Sequence, residues 1–353
     1  MAFSGLKLAL SIGILVLLAR KLDLDKLEAT WAAANLLWLV PVMLVKGTGI
    51  FSAILRWRWL LRGQDLEVPL RHLIGSFLVG RFIGIVVPST IGLDGYRAYD
   101  IARHAKAPAR SIAVILVEKV IGLFALGLLV LVTLPGGQRF VPTEGLVSLF
   151  GVFFVPVGLA FFLLVKPGAV EALNRWFVPR FFGLRDKIGK AAEAAGRFAH
   201  QRKVLGIATF YGVLVHLCTA SMYLFTAEAV GADIKASEIL FVAPLMIVAT
   251  LVPVSFSGFG VREGAFVFLL SRIGVPVEQA ALLGTLGFIG GEAFSLLGGL
   301  VFVTRGRDYA PQIEELSAGV RAIDIFPEEA EGATTTDEVL SEPEPALAAG
   351  GES

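Results

Sequence analysis

The stretch Pro253-Val254-Ser255-Phe256-Ser257-Gly258-Phe259-Gly260-Val261-Arg262-Glu263 decides how this chain is read. It lies between two apolar runs, yet carries too much proline, glycine and charge for an ordinary buried helix. The pattern occurs once before, 165 residues earlier, as Pro88-Ser89-Thr90-Ile91-Gly92-Leu93-Asp94-Gly95-Tyr96-Arg97. Both read proline, serine, two spacers, glycine, then an arginine close to a carboxylate. Proline removes a backbone donor and glycine accepts unusual dihedrals, so each stretch breaks a helix. In hydrocarbon, irregular backbone survives only where protein buries it or where it lines a watery cavity. Broken segments at matching places in two halves point to a transporter binding site. The expectation is two re-entrant elements meeting near the midplane, where Ser89 and Ser255 hydrogen-bond a polar ligand and Arg97 and Arg262 face it. Tight turns at the interface, with both arginines on lipid phosphates, stay open as the alternative.

Outward from these motifs, composition places the chain in a bilayer. Of 353 residues 56% are hydrophobic and 17% charged, and the mean hydropathy is +0.75. A soluble fold of this size could not cover that much apolar surface. The single cysteine, Cys218, excludes a disulfide scaffold. His72, His104, His200 and His216 are scattered without ligand spacing, so no metal and no cofactor is expected. Nothing points to nucleic acid.

A crossing helix needs about 20 apolar residues. Candidates are Phe3–Ala19, Ala32–Leu55, Leu70–Val87, Ser111–Leu134, Leu146–Val165, Val204–Val230, Ile239–Pro253 and Ala280–Thr304. The first resembles a signal peptide with an Ala32–Ala34 cleavage site, but the runs that follow favour an uncleaved span. The expected fold is therefore all-α: a polytopic membrane helix bundle of about eight spanning helices plus two re-entrant broken segments, in pseudo-repeated halves. Residues 1–305 form the membrane domain and 306–353 an acidic, disordered tail. The tail carries a net charge of −10 and the remainder +11. Within the membrane domain, residues 166–203 make a basic connection of nine Lys/Arg and three acids, part of it an amphipathic helix on the membrane surface. Charge counting alone leaves the orientation open, because five spans before this loop set its charge against that of Arg56–Arg71.

Several ionisable residues fall within apolar runs: Lys46, Arg81, Glu118, Lys119, His216, Glu228 and Glu292. Each costs about 2.5–3.5 kcal/mol at a helix centre, so a bundle must pair them or use them. Glu118 and Glu292 each follow a broken motif and are the expected counter-ions of Arg97 and Arg262. A buried pair that merely fixes helix register is equally compatible. Lys119 is placed as a snorkelling residue, and His216 with Glu228 as a polar pair on one helix face.

At the two motifs the chain resembles the lysylphosphatidylglycerol synthase transmembrane-region family. Pro88, Ser89, Gly92, Asp94 and Arg97 match its P-S-x-x-G-G-D-x-x-R pattern, with Leu93 where the second glycine stands. Pro253, Ser255, Gly258, Gly260, Arg262 and Glu263 match P-x-S-x-x-G-x-G-x-R-E. Glu118-Lys119 stands for the family's Glu-Arg, and Arg56-Trp57-Arg58 for its R-W-R. The resemblance covers about residues 5–305 and implies a multi-pass protein of the cell membrane that moves a lipid or lipid-linked headgroup between leaflets. Ser89, Asp94, Arg97, Glu118, Ser255, Arg262, Glu263 and Glu292 are the expected substrate-binding residues, and an anionic or lipid-linked membrane lipid the expected partner.

No enzymatic activity is expected: P-loop, G-x-S-x-G and H-E-x-x-H motifs are absent. Asp23-Leu24-Asp25 alone is weak ground for a metal-dependent transferase. Three other readings remain. The first is a non-transporting scaffold that recruits a lipid- or glycan-modifying membrane enzyme through 166–203 or the tail. The others are a transporter of a small anionic solute and a membrane-embedded transferase using Asp94 and Glu263.

Overall fold

A computed structural model describes residues 22–86, 90–137, 150–170, 185–251 and 260–304, with Arg20, Phe140, Gly145, Ser148 and Ala172. The described chain is all-α. In order the helices are α1 (Leu24–Ala33), α2 (Leu39–Arg62), α3 (Leu70–Val86), α4 (Thr90–Ala105), α5 (Pro108–Thr133), α6 (Val155–Val165), α7 (Arg185–Gly196), α8 (Arg202–Ala229), α9 (Ala236–Leu251), α10 (Val261–Leu270) and α11 (Val277–Thr304).

Four elements are long and apolar enough to cross a bilayer: Leu36–Arg62, Pro108–Thr133, Arg202–Ala229 and Val277–Thr304. At 1.5 Å per residue their 26–28 residues reach about 40 Å, beyond the roughly 30 Å of hydrocarbon. Their outer faces are apolar and exposed, at Leu44, Leu116, Val132, Phe210, Leu296 and Val303 among others, as a lipid-facing surface requires. The expected spans Leu70–Val87 and Ile239–Pro253 appear as α3 and α9, of 17 and 16 residues, about 25 Å each. The span expected at Leu146–Val165 is seen from Phe150, as a π-turn leading into α6. Phe3–Ala19 and the tail lie outside the described residues.

The first crossing element differs from its expected bounds. Backbone breaks at Ala34–Asn35, where the Asn35 side chain accepts from Leu37 N at 3.1 Å and starts a new turn. At its other end α2 runs on through Arg56-Trp57-Arg58, beyond the expected end of the span at Leu55. Trp57, Leu60 and Leu61 are nearly inaccessible on one face of that extension, and their burial carries the helix past the arginines.

Packing divides into two apolar clusters. One gathers Trp57, Leu60, Leu73, Ile101, Ile121 and Phe198. The other gathers Val130, Phe140, Tyr223, Phe241, Phe266 and Leu286. Antiparallel α2 and α8 tie the two together: Asn35 N donates to Ala229 O at 2.8 Å, and Gln201 Nε2 to Gly63 O at 2.7 Å. Helix α11 crosses α3 so closely that a Cβ on Gly298 would meet the Leu78 carbonyl, the close approach that small residues permit in membranes.

The bundle has two chemically different ends. At the first, α2 finishes, α3 begins, α4 finishes and α5 begins. Gln64 Nε2 bonds Ala194 O of α7 at 2.8 Å, and Arg110 Nη1 bonds Gln64 O at 2.9 Å. Exposed charge here is Arg62, Arg71, Arg103, Lys106, Lys190, Arg197, Arg202 and Lys203 against Asp65, Glu67 and Glu193. At the opposite end, Asp23 N meets Glu278 at 3.2 Å and Arg272 Nη1 meets Phe140 O at 2.7 Å. Exposed there are Asp23, Asp25, Glu28, Glu228 and Asp233 against Arg20, Lys26, Lys235 and Arg272. Helix α7 falls within the connection expected to lie on the membrane, but Ala191, Ala194 and Ala195 are buried, packed toward α5 and the Gln64 turn.

Topology follows from these ends. Helix α3 enters from the basic end and α4, packed against it, returns there. Helix α9 enters from the acidic end and α10 returns there. Their longest described members are α3 with 17 residues and α9 with 16.

Candidate functional site

In the sequence, each broken motif lies between the two members of one of these helix pairs. Of the first, Val87–Ser89 lie outside the described residues, and Thr90 opens α4. Of the second, Val252–Phe259 lie outside them, and Gly260 stands just before α10 with φ +80°, a dihedral that glycine adopts without penalty. Glu263 then reaches back, accepting from Gly260 N at 2.8 Å, so the spacing Gly-x-x-Glu is here a helix cap.

Midway along α2, α5 and α8 lies a cavity of about 250 Å³. Five positions of one α2 face line it: Lys46, Gly49, Ile50, Ala53 and Arg56. Helix α3 contributes Phe77 and Arg81, α4 Asp94 and Arg97, α5 Glu118, Lys119 and Gly122, α8 His216 and Thr219, and α9 Ile247 and Leu251.

The polar groups form a connected network. Glu118 bridges two guanidinium groups, accepting from Arg56 Nη2 at 2.7 Å and Arg97 Nη2 at 2.6 Å. Asp94 lies 3.3 Å from Arg97 Nη1 and 2.5 Å from Lys119 Nζ. Arg97, only 2% exposed, is also held between the Trp57 and Phe77 rings, at 4.2 and 4.9 Å from their centroids. On the other wall Arg81 Nη2 donates to Glu292 at 2.8 Å and to Gly291 O at 3.2 Å, while Ser295 Oγ donates to the same carboxylate at 2.5 Å. The Lys46 ammonium lies beside Gly291. Among the described residues no carboxylate comes within 4.0 Å of it. His216 Nε2 donates to Gly122 O at 2.9 Å.

Of the expected site residues, Asp94, Arg97 and Glu118 line this cavity, and the Arg97–Glu118 pair forms. Glu292 lies behind Arg81. Its expected partner Arg262 instead sits 3.8 Å from Glu263 and stacks over Phe288 at 4.3 Å. The correction has a topological cause: α11 crosses α3, which puts Glu292 opposite a residue of the first half. Ser89 and Ser255 lie outside the described residues. Lys119 meets Asp94 and so does not snorkel. His216 and Glu228 do not meet either, for twelve helical residues are about 18 Å and Glu228 is exposed on α8.

Four cavity cations are missing from the expected site: Lys46, Arg56, Arg81 and Lys119. Lys46 and Arg81 had given their signal as lone bases within apolar runs. Arg56 was masked by its place beside Arg58 and Arg62, which read as a loop. Three or more His, Cys, Asp or Glu placed to hold a metal do not occur among the described residues.

The family model described as Lysylphosphatidylglycerol synthase TM region matches residues 5–290. No curated protein matches the chain.

Proposed function

Because the chain belongs to the lysylphosphatidylglycerol synthase TM region family of membrane domains, we propose that it moves the headgroup of an anionic or lipid-linked membrane lipid between leaflets. One observation carries this reading: a mid-depth cavity into which Lys46, Arg56, Arg81, Arg97 and Lys119 converge. At about 250 Å³ it falls just under the roughly 300–1,000 Å³ of small-molecule pockets. It accommodates a headgroup while acyl chains stay in the bilayer.

In this reading α3–α4 and α9–α10 are re-entrant hairpins that enter from opposite sides and meet at the cavity, an inverted pair of the kind that supports alternating access. The basic end faces the cytoplasm and the acidic end the exterior of the cell membrane. Arg56, Arg81 and Arg97 hold the phosphate by charge-assisted hydrogen bonds. Asp94, Glu118 and Glu292 orient those arginines, and Ser89 and Ser255 are further donors to the headgroup. Arg262 and Glu263 fix the start of α10. No covalent step is involved, so the protein acts as a transporter and not as an enzyme.

The test is reconstitution into liposomes carrying a fluorescent anionic lipid in one leaflet, with dithionite bleaching to follow its movement. Wild type should exchange the label, and Arg97→Gln should slow exchange at least about tenfold, the effect of losing roughly 1.4 kcal/mol of binding. Equal rates for the two proteins would sink the assignment. Loss of activity on deletion of 306–353 alone, with Arg97→Gln inert, would favour the scaffold reading.

A further inference from the structure

The cavity is not electrically balanced. Its cations are Lys46, Arg56, Arg81, Arg97 and Lys119, and its carboxylates Asp94 and Glu118, joined by Glu292 behind Arg81. Five positive groups thus face three negative ones. The segments 87–89 and 252–259, which carry the two breaks, contain no ionisable residue. Glu118 is shared by Arg56 and Arg97, Asp94 by Arg97 and Lys119, and Lys46 has no carboxylate at contact distance among the described residues.

A second observation concerns donors. The Nε–H groups of Arg56, Arg81 and Arg97 are buried and have no acceptor among the described residues. Three guanidinium groups around one cavity each keep a donor in reserve. Buried donors normally find partners, and buried charge is normally paired. An acceptor-rich anion would satisfy both.

We propose that the cavity is built for a dianionic phosphate, a terminal phosphomonoester or a diphosphate group, in preference to the single charge of an ordinary phosphodiester lipid. A phosphodiester would balance one of the two excess charges and leave a cation uncompensated in a low-dielectric site. A dianion balances both. Lys46 is the residue that answers the second charge, since each other cation already contacts a carboxylate. This inference rests on the reading of the cavity as a headgroup site.

The test compares fluorescent phosphatidic acid, a phosphomonoester, with fluorescent phosphatidylglycerol, a phosphodiester. Binding to the purified full-length chain in phosphatidylcholine nanodiscs is measured at pH 8 and pH 5. A phosphomonoester loses its second charge near pH 6. At pH 8 phosphatidic acid should bind about tenfold more tightly, a difference of roughly 1.4 kcal/mol, and the preference should vanish at pH 5. Lys46→Gln should abolish the preference at pH 8 and Lys46→Arg should keep it, both with an unchanged thermal transition. Equal binding of the two lipids at pH 8, or a preference that survives Lys46→Gln, overturns the dianion while leaving the lipid reading intact. Inorganic phosphate that raises the transition temperature in wild type but not in Lys46→Gln, with neither lipid bound, supports the dianion site and overturns the lipid reading.

Discussion

Neutralising Glu118 and neutralising Arg97 should damage the protein unequally, although the two side chains pair with each other. Glu118 is nearly inaccessible and accepts from Arg56 and Arg97 at 2.7 and 2.6 Å. Glu118→Gln deprives two buried guanidinium groups of their shared counter-charge, the circumstance in which breaking a buried pair costs about 3–5 kcal/mol. It also widens the imbalance of the cavity. Arg97→Gln leaves Glu118 with Arg56 and Asp94 with Lys119, and it narrows the imbalance. What it loses is chiefly the contact with Trp57 and Phe77, worth about 2 kcal/mol when desolvated. The chain supplies its own reporter, because the sole cysteine, Cys218, is 8% exposed. A fluorogenic thiol reagent should react with it only on unfolding. Heated in detergent with that reagent, Glu118→Gln should melt clearly below Arg97→Gln, and the double variant above the sum of the two losses by about 0.5–3 kcal/mol. If Arg97→Gln proves as destabilising as Glu118→Gln, the cavity is not overcharged and the reasoning fails.

Three further outcomes are expected. Gly298→Ala pushes a methyl into the Leu78 carbonyl and should cost about 1–3 kcal/mol; an unshifted Cys218 transition would refute the contact. At the basic end, desolvation and then the neighbouring His72 ring lower the pKa of His104 below its ordinary 6.5. The folded form therefore takes up that proton less readily than the unfolded chain. Its contribution is fully present above pH 6.5 and is lost as pH falls through the lowered folded value. The effect is small because the ring is largely solvated, and His104→Gln should flatten the melting profile between pH 7.5 and 5.5. With Cys218 replaced by serine, a cysteine at Lys190 should react with a membrane-impermeant thiol reagent only in inside-out vesicles, and one at Asp233 only in right-side-out ones. Reversed labelling would invert the proposed orientation.

The pairing of Arg97 with Glu118 was legible in the sequence, because the two lie on consecutive helices in direct contact. The crossing pattern was not. Sixteen or seventeen apolar residues, as in α3 and α9, read alike whether the chain goes through the membrane or turns back, and the parity that orientation depends on turns on that difference. Internal repetition also misled. It suggested Glu292 for Arg262 by analogy with Glu118 for Arg97, whereas the tertiary crossing of α11 over α3 gave Glu292 to Arg81. Contacts of that separation leave no trace in local pattern. Lys46 shows the same limit, since an isolated lysine in an apolar run looks identical whether it faces a cavity or a lipid headgroup.

The Arg81–Glu292 pair spans 211 residues, and that distance has a meaning in time. At about 5–20 residues per second of synthesis, roughly ten to forty seconds separate the making of the arginine from the making of its carboxylate. During that interval the nascent N-terminal half holds a charged side chain in or near the membrane without its final partner, and α3 lacks the helix that will press on Leu78. The first half therefore cannot reach its finished form until almost the last helix leaves the ribosome. A chain truncated before α11 should accumulate as a substrate for membrane quality control instead of a half-sized bundle.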